Sequence, residues 1–182
     1  MRIIKKMILL LSAVFLLCGC MAGAGDYLAY AEGEFSAALE GISGEFEFAA
    51  EVAVGAPRRS EDGRPLPRNI SMTFVRPAGM QGITVIRQGG GILITSGDLT
   101  IDGSRAAGWL ALACLLVPEG KAVDARLVGK GGEKLGAVEI ITPGGSTVVY
   151  VDCATGHPVR IVSDSGGVVS DVRVVSFTYM GE

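Results

Sequence analysis

Apolar and polar residues alternate along most of the chain, which is the pattern of a sheet with one buried face. Phe35, Ala37 and Leu39 share one face while Glu34, Ser36 and Glu40 take the other. Phe46, Phe48, Ala50, Val52 and Val54 then point one way, and Glu45, Glu47 and Glu51 point the other. Glu40 to Gly44 reads as the hairpin between these two strands. Further strand signals follow at short spacing: "ISMTFV" from Ile70, "ITVIRQ" from Ile83, "GILITSG" from Gly91 and "LTID" from Leu99. Glycine, proline and aspartate separate them, residues that preset turns or tolerate positive φ. An antiparallel meander is the economical topology.

The period changes between Ser104 and Pro118. "AAGWLALACLLV", Ala106 to Val117, cannot be laid out as alternating strand positions, and its length is that of a buried core helix. Ser104 is placed to cap a helix that starts at Arg105, and Pro118 with Gly120 ends it after about three turns. Strands return in "DARLVGK", "EKLGAVEIIT", "STVVYVDC", "HPVRIVSD" and "VVSDVRVVSFTYM". In the last of these, Val172 and Val174 have one parity and Val175, Phe177 and Tyr179 the other, so a bulge is needed to turn both groups inward. The expected fold is mainly β (α+β): an antiparallel sheet of about ten strands with one apolar helix. Gly55 to Asn69, which holds Arg58, Arg59, Arg64 and Arg68, reads as a long surface loop, either solvated or a contact for headgroups or a partner.

The first twenty residues are of a different kind. Arg2, Lys5 and Lys6 precede an apolar run from Met7 to Leu17 that is too short to span a bilayer, which takes roughly 20 apolar residues. The run ends in Leu17, Cys18, Gly19, Cys20, which resembles the lipobox of bacterial lipoproteins. The resemblance implies cleavage between Gly19 and Cys20 and a diacylglycerol on Cys20, with Cys18 lost in the signal. The implied organisation is a signal peptide over residues 1–19, a lipidated terminus and tether over 20–32, and a single domain over 33–182. The protein is then exported and held on the extracytoplasmic side of the cell membrane, its partner there being the bilayer itself.

Charge narrows the function further. Loss of Arg2, Lys5 and Lys6 with the signal moves the formal net charge from −3 to −6. Nucleic acid is therefore a poor partner, because phosphate contacts need clustered basic groups. High glycine and few aromatics suit strands and tight turns, and the apolar fraction is too high for disorder.

Candidate chemistry is sparse. His157, the single histidine, stands between Gly156 and Pro158 without a serine elbow, so no catalytic residue is assigned and an enzyme is not expected. Metal-ligand spacing is absent; "SDSGG" and "SEDG" read as self-capping turns ahead of calcium sites. "GKGGEKLG", Gly129 to Gly136, lacks the spacing of a nucleotide loop, and no cofactor is expected. Cys114 and Cys153 either pair, as exported cysteines can, or are separate small buried residues.

"ISMTFVRPAGM", "AAGWLALACLLVP" and "VYVDCATGHPVRIVSDSGG" are similar to segments of the periplasmic lipoprotein-carrier family, the LolA/LolB/LppX-like lipoproteins, and the order of segments is also similar to that of small lipoproteins of Firmicutes. The resemblance implies a half-barrel, with the helix over its concave face, that binds or shields a lipid or other apolar ligand without catalysis. In it Phe35, Phe46, Phe48, Phe74, Trp109 and Leu112 line the hollow; read from periodicity alone, the same residues serve equally as an ordinary core. The alternative is a structural lipoprotein with a filled core, presenting its polar face and the Arg58 to Arg68 loop to an envelope protein partner.

Overall fold

The computed structural model describes residues 23–129, 134–142 and 144–180. Its centre is an open, curved, wholly antiparallel sheet of eleven strands. The strands are β1 (Phe35–Ser43), β2 (Phe46–Val54), β5 (Ile70–Arg76), β6 (Thr84–Gln88), β7 (Gly91–Ser96), β8 (Leu99–Asp102), β9 (Lys121–Val128), β10 (Leu135–Thr142), β11 (Gly145–Asp152), β12 (Pro158–Ser165) and β13 (Val168–Tyr179). Their order is β8-β7-β6-β5-β2-β1-β13-β12-β11-β10-β9. Each half is a meander in chain order, and the halves meet where the first long strand pairs with the last. That junction, between β1 and β13, is non-local and invisible to a window of periodicity.

Alternation becomes burial as the pattern requires. Phe35, Ala37 and Leu39 of β1 and Phe48, Ala50, Val52 and Val54 of β2 are buried on the concave face, while Glu45, Glu47 and Glu51 stand in solvent. Ile70, Met72 and Phe74 of β5, Val85 of β6, Val138 and Ile140 of β10, Val149 and Val151 of β11, Ile161 of β12 and Val172 of β13 complete one continuous core. A fully buried side chain of this size contributes about 1.5–3 kcal/mol.

The β1–β2 hairpin turns at Gly44 and Glu45, not over Glu40 to Gly44, because Gly44 takes a φ of +59° and lets both strands run to the tip. Gly41 instead lies within β1, where a Cβ would collide with the backbone of Asp171 in β13. The bulge in β13 is present: Leu39 faces Val174 and Ala38 faces Ser176, so Val175 is extra. Val175 is the residue that gives way, 55% exposed, whereas Phe177 and Tyr179 turn inward.

The loop 55–69 folds on itself as β3 (Arg58–Arg59) and β4 (Pro65–Leu66). One of its arginines does not face a partner at all: Arg68 donates to the carbonyls of Gly55 (2.7 Å), Ala31 and Gly33. It thereby clamps the chain that enters β1.

The helical segment starts as a 3-10 turn, Ser104–Ala106, and continues as α2, Ala107–Cys114, two turns and not three. Ser104 does not cap it: it is the first residue of the turn, Gly103 holds the N-cap position, and the Asp102 carboxylate at the end of β8 accepts the Ser104 N–H at 2.9 Å. Leu110, Leu112 and Ala113 of α2, with Leu116 after it, are buried against the sheet. Of its exposed positions 107, 108, 109 and 111, three are alanine or glycine and the fourth is Trp109, which carries most of the large apolar surface this helix leaves in water.

Part of the segment expected as tether, 20–32, is folded. Helix α1 (Ala24–Tyr27) and a 3-10 turn (Ala29–Glu32) pack on the sheet, with Tyr27 filling the space that Gly136 of β10 leaves and Tyr30 buried beside Phe35 and Phe177. Two aromatic rings anchor a stretch that sequence pattern reads as loose.

Candidate functional site

The concave face is divided along its length. At one end lies an aromatic cluster: Phe35 against Phe177 at 4.8 Å between ring centroids, Tyr30 edge-on to both, and His157 on Phe177 at 4.7 Å. The Arg68 guanidinium covers the Phe35 ring at 5.9 Å. Tyr30 Oη is buried without a hydrogen-bond partner among the described residues, and burial pushes its phenol well above the usual value. Phe46, in register with Ser43 at the far end of β1, stacks on Phe48 and meets Phe74 at 6.2 Å, and Phe74 meets Trp109 at 5.6 Å.

At the other end, beneath α2, the side chains part and leave a cleft of about 320 Å³. One wall is the underside of the helical segment, with Leu112, Leu115 and Pro118. The floor is a row of hydroxyls from four adjacent strands. Ser43 of β1 is in register with Ser170 of β13, Ser170 with Ser163 of β12, and Ser163 with Thr147 of β11. Ser43 and Ser170 share a hydrogen bond of 2.8 Å, Thr147 and Ser163 one of 3.0 Å, and the Ser163 hydroxyl also reaches the Ser146 carbonyl at 3.3 Å. Ser170, Ser163 and Thr147 are buried like the valines beside them.

Of the six residues expected to line a hollow, Leu112 borders this cleft. Phe35, Phe48 and Phe74 are core, each with at most 1% of its surface exposed; Phe46 is half-buried against them, and Trp109 is 37% exposed on the outer flank of α2. The hydroxyl row is absent from the sequence expectations, although its signal is present: Ser43, Thr147, Ser163 and Ser170 all occupy inward parity on their strands. Counting alternation of apolar residues passes over a polar residue in an inward slot.

Cys114 and Cys153 are both free thiols, so no disulfide joins them. Cys114 is mostly buried on α2, and burial pushes its thiol up; Cys153 is exposed at the β11–β12 turn. Cys20 and Gly19 lie outside the described residues, as do 130–133 of the glycine-rich turn. Among the described residues no three His, Cys, Asp or Glu side chains converge as metal ligands, and no helix is long and apolar enough to cross a membrane.

The convex face differs in kind. A broad depression of about 920 Å³ there is bordered by Lys134, Asp152, Arg160 and Arg173. Of these Arg160 is paired: it grips both carboxylate oxygens of Asp171 at 2.8 and 2.6 Å and holds that carboxyl below its usual range. Arg76 pairs with Glu40 at 2.8 Å on the same face.

No family model matches the chain, and no curated protein does. Solved structures resemble it in fold. An uncharacterized conserved protein from Thermus thermophilus is 18% identical with a TM-score of 0.52, the match covering 86% of this chain and 85% of that one. A LolA superfamily protein from Nitrosomonas europaea is 12% identical, with a TM-score of 0.42 and coverage of 88% and 95%. The Mycobacterium tuberculosis lipoprotein LppX is 14% identical, with a TM-score of 0.43 and coverage of 88% and 99%. The likeness to the Thermus protein runs over most of both chains, and it extends to the fold alone.

Proposed function

We propose that this chain is an exported lipoprotein, anchored through lipid on Cys20, whose half-barrel binds a lipid or other apolar ligand in the cleft under α2 without covalent chemistry. The observation that carries this reading is the cleft itself. It lies where an apolar helix crosses a curved sheet, and its volume of about 320 Å³ is at the lower end of small-molecule sites. Affinity then comes from apolar area removed from water along Leu112, Leu115 and Pro118.

Native mass spectrometry of the purified protein, followed by solvent extraction, tests the reading. A co-purifying acyl species is expected; its absence, together with no response of Trp109 fluorescence to added lipid, overturns it. The anchor has its own test: Cys20→Ser should release the protein from membranes, and Cys18→Ser should not.

A second reading has one observation in its favour. Phe35, Phe48 and Phe74 fill the hollow over much of its length, as in a lipoprotein that serves an envelope protein partner through its surface. Under that reading the cleft stays empty of lipid and the charged convex face is the contact.

A further inference from the structure

We propose that the cleft under α2 is built for an uncharged amphiphile with a hydroxyl-bearing head, of the monoacylglycerol class, held head-down on the row from Ser43 to Thr147 with its chain along Leu112 and Leu115. This rests on the ligand-binding reading above and says what the ligand is.

Each of the four hydroxyl residues replaces, at an inward slot, the kind of apolar residue that occupies other inward slots of its strand. Cross-strand hydroxyl pairing alone does not make a site, since Thr73 and Thr84 pair at 2.8 Å on the opposite face of the sheet. The inner row differs in having a cavity over it.

The pairs also leave capacity unused. A hydroxyl has one donor and two acceptor positions. Ser43 and Ser170 bond only each other among the described side chains, so one O–H of the pair has no acceptor there, and both residues line the cleft. Thr147 donates to Ser163, whose own proton goes to the Ser146 carbonyl, and this leaves acceptor positions on Thr147. The row therefore offers both a donor and acceptors, at strand spacings of about 4.8 Å.

Charge selects the head. Among the described residues no lysine, arginine or histidine lines the cleft, and its one carboxylate is Glu119. A carboxylate or phosphate head would enter without a counter-ion and beside a like charge, at a desolvation cost that a neutral hydroxylated head does not meet. A pure hydrocarbon would leave the spare O–H of the Ser43–Ser170 pair without an acceptor.

The test uses the full-length lipidated protein in phosphatidylcholine vesicles. Three photoactivatable probes carry a diazirine on the same acyl chain: a monoacylglycerol, a fatty acid at pH 8, and the hydrocarbon. Cross-linked peptides are mapped by mass spectrometry. The monoacylglycerol should label the Ala107–Pro118 segment, and the fatty acid and hydrocarbon should label it several-fold less. The double variant Ser43→Ala, Ser170→Ala should lower monoacylglycerol labelling about tenfold, and the shape-conserving Thr147→Val should lower it in a variant whose melting is unchanged. Equal labelling by all three probes, or no effect of either variant, overturns the head-group assignment and leaves an apolar ligand site standing. No labelling of that segment by any probe overturns both.

Discussion

The two ends of the concave face are made from the same strands with the same period, and they carry opposite chemistry. Phe35 and Tyr179 face each other at one end of the β1–β13 pair, and Ser43 and Ser170 face each other at the other end. Phe35 is fully buried and Ser170 nearly so, yet the first end is closed by Tyr30, Phe177 and the Arg68 clamp while the second opens into a cleft. Burial tells which face a residue is on; whether the face is core or site depends on what is packed over it.

The sharpest way to break this contrast is to truncate one residue at each end. Phe35→Ala should cost about 3–5 kcal/mol in denaturant unfolding, because a large ring leaves a closed cluster. Ser170→Ala should change stability by less than about 1 kcal/mol, since its partner Ser43 can turn to the cleft. Equal costs would make both ends ordinary core.

Arg68→Ala comes next, at about 2 kcal/mol, because three backbone carbonyls lose a charged donor. Hydrogen exchange should quicken first at Ala29–Glu32, and uniform quickening across the sheet would show that the clamp is not local. Tyr30→Phe should stabilise by about 1 kcal/mol, because it removes a buried hydroxyl that has no partner among the described residues. A loss of stability would place an unseen hydrogen bond at the aromatic end.

The smallest effect belongs to the convex face. Arg160 lowers the Asp171 pKa below the ordinary 3.8, so the pair stabilises the fold above that pH and the gain fades as pH falls through the lowered value. Both groups are about half exposed, and Asp171→Asn should cost at most about 0.5 kcal/mol at pH 7. The variant and the parent should converge as the pH drops below the lowered value, and a difference that persists there would be packing and not charge.

Much of this molecule is legible in its residues. Period two in Phe46 to Val54 predicts both the strand and its buried face, and the parity switch between Val174 and Phe177 predicts the bulge. The helix is legible as a break in period, but its start is not: Ser104 has the chemistry of a cap, yet it is the first residue of the 3-10 turn, with its N–H bonded to Asp102. The candidate lining residues show where such reading stops. Phe35, Phe48, Phe74 and Leu112 share apolar character and burial, and Leu112 alone of them meets the cleft.

Local pattern was enough for the strands, the inward faces, most turns and the helix, because those depend on neighbours within a few residues. Pairing of β1 with β13 joins segments from opposite ends of the domain, and that pairing aligns Ser43 with Ser170. The β13–β12 and β12–β11 registers extend the alignment to Thr147, and α2 roofs it. A binding surface assembled from separated segments exists only once long-range registers are set, and no window along the chain contains them.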